Sequence, residues 1–408
     1  MSDVAHEVGI PPHVPANRVV DFDVSDAPSL PGDVHGQIRH ARDSFPSVCY
    51  TPRNGGHWLV YGRENLHRVL SETETFSSRQ LSLQPVESPM KMIPLQLDPP
   101  DHTPYRHLLL KHLGPREIRG MEPFVRSWAE RLIAPLEGVA SCDFVKAVAE
   151  PMPVSVFMVI MGLPLERFDE FRSLAVGALD PHTPAEQRPA LHGQIFAVIS
   201  ELIQARTAAP RDDLVSKLLA ERLDGRPLNP EELFSICFLL FLAGLDTVTN
   251  AMAYGMRHVA GDPALQARMR ANPAEIPAVV EEMLRRYTFV NTVRVAAHDT
   301  VLDGAQIMAG EALCCVLWSG SNDEGAQGDT AARQFAFGAG PHTCLGLHLA
   351  RLELRVMWET WFAHIGDFER GPDAPDAVRG GSVMAVTALP LCMHPRGVGG
   401  SQSTGAIA

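Results

Sequence analysis

The sequence predicts a mainly α-helical protein with a small β region, on three observations. Between Pro115 and Pro210, apolar residues recur at helical spacing in four or five segments, punctuated by Pro115, Pro151-Met152-Pro153, Gly162-Leu163-Pro164, Asp180-Pro181 and Ala209-Pro210. From Leu233 to about Val259 no proline intervenes, and Leu233 to Leu245 is nearly all apolar, which predicts one long helix buried on every side. Runs of strand character are few and short: His57 to Tyr61 after the turn Asn54-Gly55-Gly56, then Val293 to Val301 and Leu313 to Trp318.

Composition sets the outer limits. The 408 residues are 45% hydrophobic and 20% charged, ample for a buried core. We expect a single domain over 1–408, with a proline-rich extended arm at 1–30 and a flexible tail at 397–408. The first twenty residues are polar and proline-rich, without a basic-then-apolar signal or anchor, so a cytoplasmic location is expected. Seven cysteines form no Cys-x-x-Cys pair and are odd in number, which argues against a disulfide framework or a zinc site. The formal charge of −13 disfavours nucleic acid and anionic membranes as partners.

In chain order, a helix is expected from Glu64 to Leu70. A second begins in Leu97-Asp98-Pro99-Pro100-Asp101-His102-Thr103-Pro104-Tyr105-Arg106, with prolines in its opening turn. His102 and Arg106 are four apart, so they share a face that can grip one anion or simply meet solvent. Asn229-Pro230-Glu231-Glu232 is a complete helix start, with Asn as N-cap, Pro first and acids in the first turn. The helix it opens is too short in uninterrupted apolar length for a bilayer, which needs roughly 20 residues, and it holds Asp246 near its middle.

Within that helix lies Ala243-Gly244-Leu245-Asp246-Thr247. Glycine there costs about 1 kcal/mol against alanine, and a buried polar group without a partner costs more. Either Thr247 bonds back to the preceding turn and Asp246 is paired, or these residues serve chemistry. Pro273 to Tyr287 is another helix, in which Glu282 and Arg285 lie three apart and can pair.

The last motif is Phe337-Gly-Ala-Gly-Pro-His-Thr-Cys-Leu-Gly346. Its glycines let the backbone approach a flat ligand, and Leu347 to Arg355 reads as an amphipathic helix, placing Cys344 at a helix N-terminus where a thiolate is favoured. A buried structural cysteine and an axial ligand to haem iron both fit that position.

The spacing of Phe337, Gly340, Cys344 and Gly346 resembles the haem-ligand signature of the cytochrome P-450 family, and the chain from Asn54 to Pro390 carries the family's other signals in order. It resembles most the bacterial camphor hydroxylase branch, through Asn-Gly-Gly-His-Trp at 54–58, Leu-Asp-Thr-Val at 245–248 and Cys-Leu-Gly-x-His-Leu-Ala-Arg at 344–351. The resemblance implies a triangular helical prism with haem b (iron protoporphyrin IX) between the central long helix and the helix after the cysteine loop. It implies Cys344 as the iron ligand, with Phe337, Gly338 and Gly346 shaping the haem loop and His102, Arg106, Arg294 and His342 holding the propionates. Gly244 would make room for dioxygen, Asp246 and Thr247 would deliver protons, and Glu282 with Arg285 would be structural. Alignment to the branch points to Met90, Ile93, Leu242, Phe289 and Val290 as substrate contacts, and residues 168–205 as a lid.

Two departures matter. Met90 stands where the camphor enzyme has a substrate-binding tyrosine, which shifts the expected substrate to a more apolar terpenoid or norisoprenoid. The segment Ser321 to Ala336 is short for the family, and Arg333 is the candidate to join the Glu282–Arg285 pair. The activity implied is hydroxylation with dioxygen by a monomer, with electrons from a [2Fe–2S] ferredoxin and its NAD(P)H-dependent reductase, because the chain has no flavin or iron–sulfur signature. Arg68, Lys111, Arg116, Arg351 and Arg355 are candidates to steer that partner. A peroxide-driven peroxygenase and a non-catalytic haem-binding sensor or ligand carrier are the alternatives.

Overall fold

The structure, a computed structural model, describes residues 9–24, 34–84, 91–179, 183–184, 186–244, 246–323, 334–371 and 377–394. The helices in chain order are α1 (Val34–Ser44), α2 (Arg63–Ser71), α3 (His102–Leu113), α4 (Pro115–Gly120), α5 (Glu122–Ile133), α6 (Pro151–Met161), α7 (Phe168–Leu179), α8 (Arg188–Ala208), α9 (Leu214–Ala220), α10 (Pro230–Ala243), α11 (Thr247–Val259), α12 (Pro263–Ala271), α13 (Ile276–Arg286), α14 (Leu317–Ser321) and α15 (Leu347–His364).

The largest sheet has the order β1-β2-β10-β7-β3, built from β1 (Val48–Thr51), β2 (His57–Val60), β3 (Phe76–Ser77), β7 (Asn291–Ala296) and β10 (Ala312–Val316). Only β2 and β10 run parallel in it, with Leu313 opposite Trp58. The hairpins β5–β6 (Arg222–Leu223, Arg226–Pro227), β8–β9 (Thr300–Leu302, Ala305–Ile307) and β12–β13 (Ala377–Arg379, Ala385–Ala388) are separate. So is a three-stranded sheet of β11 (Phe368–Arg370), β14 (Pro390–Met393) and β4 (Ser141–Asp143).

Several sequence expectations change in detail. The prolines at 151 and 153 open α6 instead of breaking a helix, because proline lacks only an N–H that the first turn does not use. The run Val293 to Val301 divides into β7 and β8, and the strand expected to reach Trp318 stops at Val316, where α14 begins. The helix expected from Leu233 to Val259 is two helices, α10 and α11, separated at Gly244 to Asp246. The whole stretch Pro230–Val259 is long and apolar enough to cross a membrane, yet 65% of its most apolar window is buried within the protein. The tail, Met90 and Arg333 lie outside the described residues, as do residues 1–8 and 25–30 of the expected arm; its described part, 9–24, has one short helical turn at Ala16–Arg18 and lies along β1, with Val19 opposite Tyr50.

α10 starts as its sequence dictates. Asn229 accepts from the Glu232 N–H at 2.8 Å, and the Glu232 carboxylate accepts from the Asn229 N–H at 2.8 Å, a reciprocal cap. The same carboxylate pairs with Arg226 at 2.7 Å and accepts from the Tyr105 hydroxyl at 2.7 Å. Tyr105 precedes Arg106 on α3, so Glu232 fastens the helix bearing His102 and Arg106 to the helix leading to Gly244 and Thr247. α13, α15 and α5 pack beneath, with Trp358 and Trp361 of α15 buried among them.

Candidate active site

Between α10–α11 and the loop before α15 lies a cavity of about 350 Å³ with predominantly apolar walls. Cys344 borders it, so its surface counts as exposed although the residue sits deep in the fold. The loop holding it is stitched by backbone bonds: Cys344 N–H donates to Phe337 O at 2.8 Å and Gly338 N–H to Phe335 O at 2.8 Å. Gly340 has φ +69, and a Cβ there would fall 2.3 Å from the Leu70 carbonyl oxygen, so only glycine lets the loop lie against α2. Burial pushes the Cys344 thiol up, opposed by the Gly346 N–H and the charges of Arg106 and Arg351. The Arg351 guanidinium lies 4.7 Å from the Phe337 ring centroid and pairs with Glu281 at 2.5 Å.

On one side of the cavity four basic groups from three separate parts of the chain converge. His102 opens α3, Arg106 follows one turn later, Arg294 comes from β7 and His342 from the cysteine loop. The rings of His102 and His342 lie 4.4 Å apart. Arg106 donates to Thr343 O, and Arg294 reaches only its own strand, at Val293 O (2.8 Å) and Thr292 Oγ1 (3.3 Å). Arg294 Nε and His342 Nε2 have no partner though both are buried. Burial first, then Arg294, His102 and Arg106, hold His342 down at about 3, far below the usual imidazole value. Such a cluster calls for an anion with two or more acidic groups. The two propionates of haem would meet that requirement, Cys344 would supply the sulfur ligand, and Gly338 and Gly346 would keep the loop clear of side chains, so these residues fit haem.

Across the cavity stands the break between α10 and α11. Thr247 Oγ1 donates to Ala243 O at 3.3 Å, a side chain on the carbonyl that a continuous helix would use, whereas Asp246 O accepts from both the N–H (3.2 Å) and the side chain (3.0 Å) of Asn250, where the helical ladder resumes. Gly244 is packed against Phe157 of α6: a Cβ there would lie 2.3 Å from Phe157 Cδ2. Gly244 and Thr247 line the cavity; Asp246 is half-buried beside them.

Of the expected substrate contacts, Phe289 and Val290 line the cavity, together with Leu239, Leu240 and Ala243. Leu242 does not. It lies about a third of a turn round α10 from that face and packs into the surrounding core. Ile93 is also absent from the wall, where Pro94 and Leu95 stand instead, and its N–H donates to Ser235 Oγ at 3.0 Å.

Arg285 grips Glu282 through two bonds of 2.7 and 2.8 Å and reaches Asn322 Oδ1 at 2.9 Å. Asn322, at the end of α14, was not foreseen as the third member of this group. Of the five basic residues named for partner steering, Arg68, Lys111, Arg351 and Arg355 are each ion-paired, to Glu72, Glu221, Glu281 and Glu122, while Arg116 is exposed.

The sequence reading also passed over Glu353. It lines the cavity from α15, is 1% exposed, and its Oε2 has no partner; its signal was a carboxylate on the helix face shared by Ala350 and Met357. Burial alone pushes it up to about 8. Because the folded value lies above the ordinary one, this carboxyl costs nothing in acid and opposes folding increasingly from about pH 4.5 to about 8. Glu353→Gln is therefore expected to stabilise the apoprotein on the order of 3 kcal/mol at pH 7 and negligibly at pH 4. Thermal melts across that pH range check it.

A loop bearing Cys344, a cluster of four basic groups and a broken helix across the cavity from them make an arrangement that fits a haem-thiolate site. The chain belongs to the cytochrome P450 family. The cytochrome P450 family model matches residues 186–326. A probable cytochrome P450 127A1 of Sinorhizobium fredii is 32% identical over 400 residues, 94% of this chain and 96% of its own. The fold is the family's: the crystal structure of CYP101J2 matches with a TM-score of 0.86 at 33% identity, covering 95% of this chain and all of that one. The structure of CYP101C1 matches with a TM-score of 0.87 at 32% identity over the same shares. Members of the family bind haem b through a cysteine thiolate.

Proposed function

We propose that this P450 monooxygenase is a single-domain, monomeric cytoplasmic enzyme. In this reading it hydroxylates a small apolar terpenoid or norisoprenoid with dioxygen and electrons from a [2Fe–2S] ferredoxin served by an NAD(P)H-dependent reductase. The observation that carries the reading is the opposition of Cys344 to the Gly244–Thr247 break across one apolar cavity. Haem bound there supplies dioxygen reduction and oxygen insertion. Cys344 would supply the sulfur ligand, and His102, Arg106, Arg294 and His342 would hold the propionates by charge-assisted bonds. Gly244 gives up its side-chain position to the Phe157 ring and so brings the break to the cavity wall, and the Thr247 hydroxyl, bonded at rest to Ala243 O, would turn from that carbonyl to hand a proton into the cavity, with Asp246 next to it in the chain. Phe289, Val290 and Leu240 present no polar group, so they orient substrate by shape and exclude water.

The test is product formation from small terpenoids that shift the haem spin state, with ferredoxin and reductase added. Spin shift without product would favour a binding role instead. Thr247→Ala is expected to keep haem and substrate binding while diverting most of the consumed NAD(P)H to hydrogen peroxide. Peroxide yield per NAD(P)H measures this, and unchanged coupling would remove Thr247 from proton delivery.

A further inference from the structure

Behind the cavity wall stands a file of aromatic rings of which only the first meets the cavity. Phe289 forms part of the wall. Its ring lies 6.0 Å from that of Tyr254 at 20°, and Tyr254 lies 5.9 Å from Tyr287 at 8°, so the three rings stack outward. The Tyr287 hydroxyl and His258 Nδ1 then meet at hydrogen-bond distance, 2.8 Å. Tyr254 is 2% exposed with its hydroxyl unpartnered, whereas Tyr287 and His258 are half-buried beside the exposed Arg286. Packing alone would be met by phenylalanine at 254 and 287, as it is at 289. A buried phenol without a partner carries a cost that phenylalanine does not.

The two phenols differ in a way that gives the file a direction. A tyrosine ring that loses an electron becomes strongly acidic and must shed its proton to rest as a neutral radical. Tyr254 has no acceptor and can only relay. Tyr287 has one: burial and the Arg286 charge hold His258 below the usual imidazole range, against the opposing pull of Asp262 and Glu282, so its nitrogen is free of an extra proton. A side branch through His35 to Trp318, whose rings are 6.3 Å apart, is disfavoured. The guanidiniums of Arg42 and Arg39 lie 5.5 and 5.7 Å from the Trp318 ring and oppose positive charge there, and its Nε1–H meets only the Arg286 carbonyl.

We propose that Tyr254 and Tyr287 form an electron path that discharges an oxidised haem which has found no substrate, leaving the oxidising equivalent on Tyr287. This rests on the haem monooxygenase reading. One electron moves from the Tyr287 ring through the Tyr254 ring to the oxidised haem, lowering it by one oxidation level, and the phenolic proton passes to His258 Nδ1. A small thiol or ascorbate-like reductant at the surface then returns an electron to Tyr287, and His258 returns the proton.

The test uses haem-loaded protein whose Soret and ferrous carbon monoxide bands are recorded first, so that failure of the haem reading shows before the path is probed. The protein is mixed with peracetic acid without substrate, freeze-quenched and examined by electron paramagnetic resonance. With only five tyrosines, assignment by single Phe variants is complete. A tyrosyl signal is expected that Tyr287→Phe removes and Tyr254→Phe delays. Both variants should bleach the Soret band several-fold faster, while ferredoxin-driven product yield is unchanged. His258→Gln, which leaves both rings in place, should shift the radical's g-values. A full signal in Tyr287→Phe, its loss only in Tyr50→Phe, Tyr61→Phe or Tyr105→Phe, or bleaching at the parent rate in both path variants would overturn the proposal.

Discussion

Cys344→Ser is expected to abolish the long-wavelength absorption band of the reduced, carbon monoxide-treated protein and to take turnover with an added electron donor below detection. That is the largest effect expected of any single substitution here. Serine preserves the size of the side chain and leaves the Cys344 N–H bond to Phe337 O untouched, so the loop is retained. What is lost is a soft, polarisable anion that donates electron density to iron and favours O–O cleavage; an alcohol at this position does neither. Haem is still held by the basic cradle, so the Soret absorbance persists at a shifted wavelength. The carbon monoxide difference spectrum is the measurement, and a thiolate-type band surviving in Cys344→Ser or Cys344→Ala would mean that another residue is the ligand.

Arg294→Met is expected to act with opposite signs on the apoprotein and the haem-loaded protein. Arg294 is 3% exposed, its Nε is unpartnered, and burial lowers the affinity of its guanidinium for the proton. Without a propionate it is a buried cation bonded only to its own strand. Replacing such a charge by an apolar side chain of similar length stabilises a fold by roughly 1–4 kcal/mol. With haem bound, the same change strands a propionate and costs about 2–5 kcal/mol of binding, or roughly 30- to 4,000-fold in affinity. Thermal melting of both forms, with haem transfer to a competing apoprotein, separates the two. If both forms are destabilised alike, Arg294 is a structural residue and not part of the cradle.

The helical class, the capped start of α10 and the position of Cys344 before α15 were readable because each depends on neighbours in sequence. Asn229 caps a residue three away, and the glycines of the loop are defined by local φ values. The break at Gly244 was not readable as a break. Its residues were noticed, but whether the Thr247 hydroxyl takes a helix carbonyl depends on what packs against the break, and Phe157 comes from far upstream. Leu242 was misplaced for the same reason: on an all-apolar helix no polar face fixes the rotation, so the sequence cannot say which leucine meets the cavity. Asn322 joins Arg285 across 37 positions, a separation at which spacing carries no information. Met90 and Arg333, on which the departures from the camphor branch turned, lie outside the described residues.

Glu232 also sets how the two walls of the cavity respond to acid. Its carboxyl is pulled down to about 2, chiefly by Arg226 and, in opposition to burial, by the Tyr105 hydroxyl and the Asn229 N–H. The stabilisation such an acid gives is complete above its ordinary value near 4.5 and is lost progressively as the pH falls from there to about 2. His342, held down at about 3, takes up its proton inside that same interval. The floor and ceiling of the chamber should therefore stay hinged at full strength through mild acidification, and hinge and basic cluster should give way together in stronger acid.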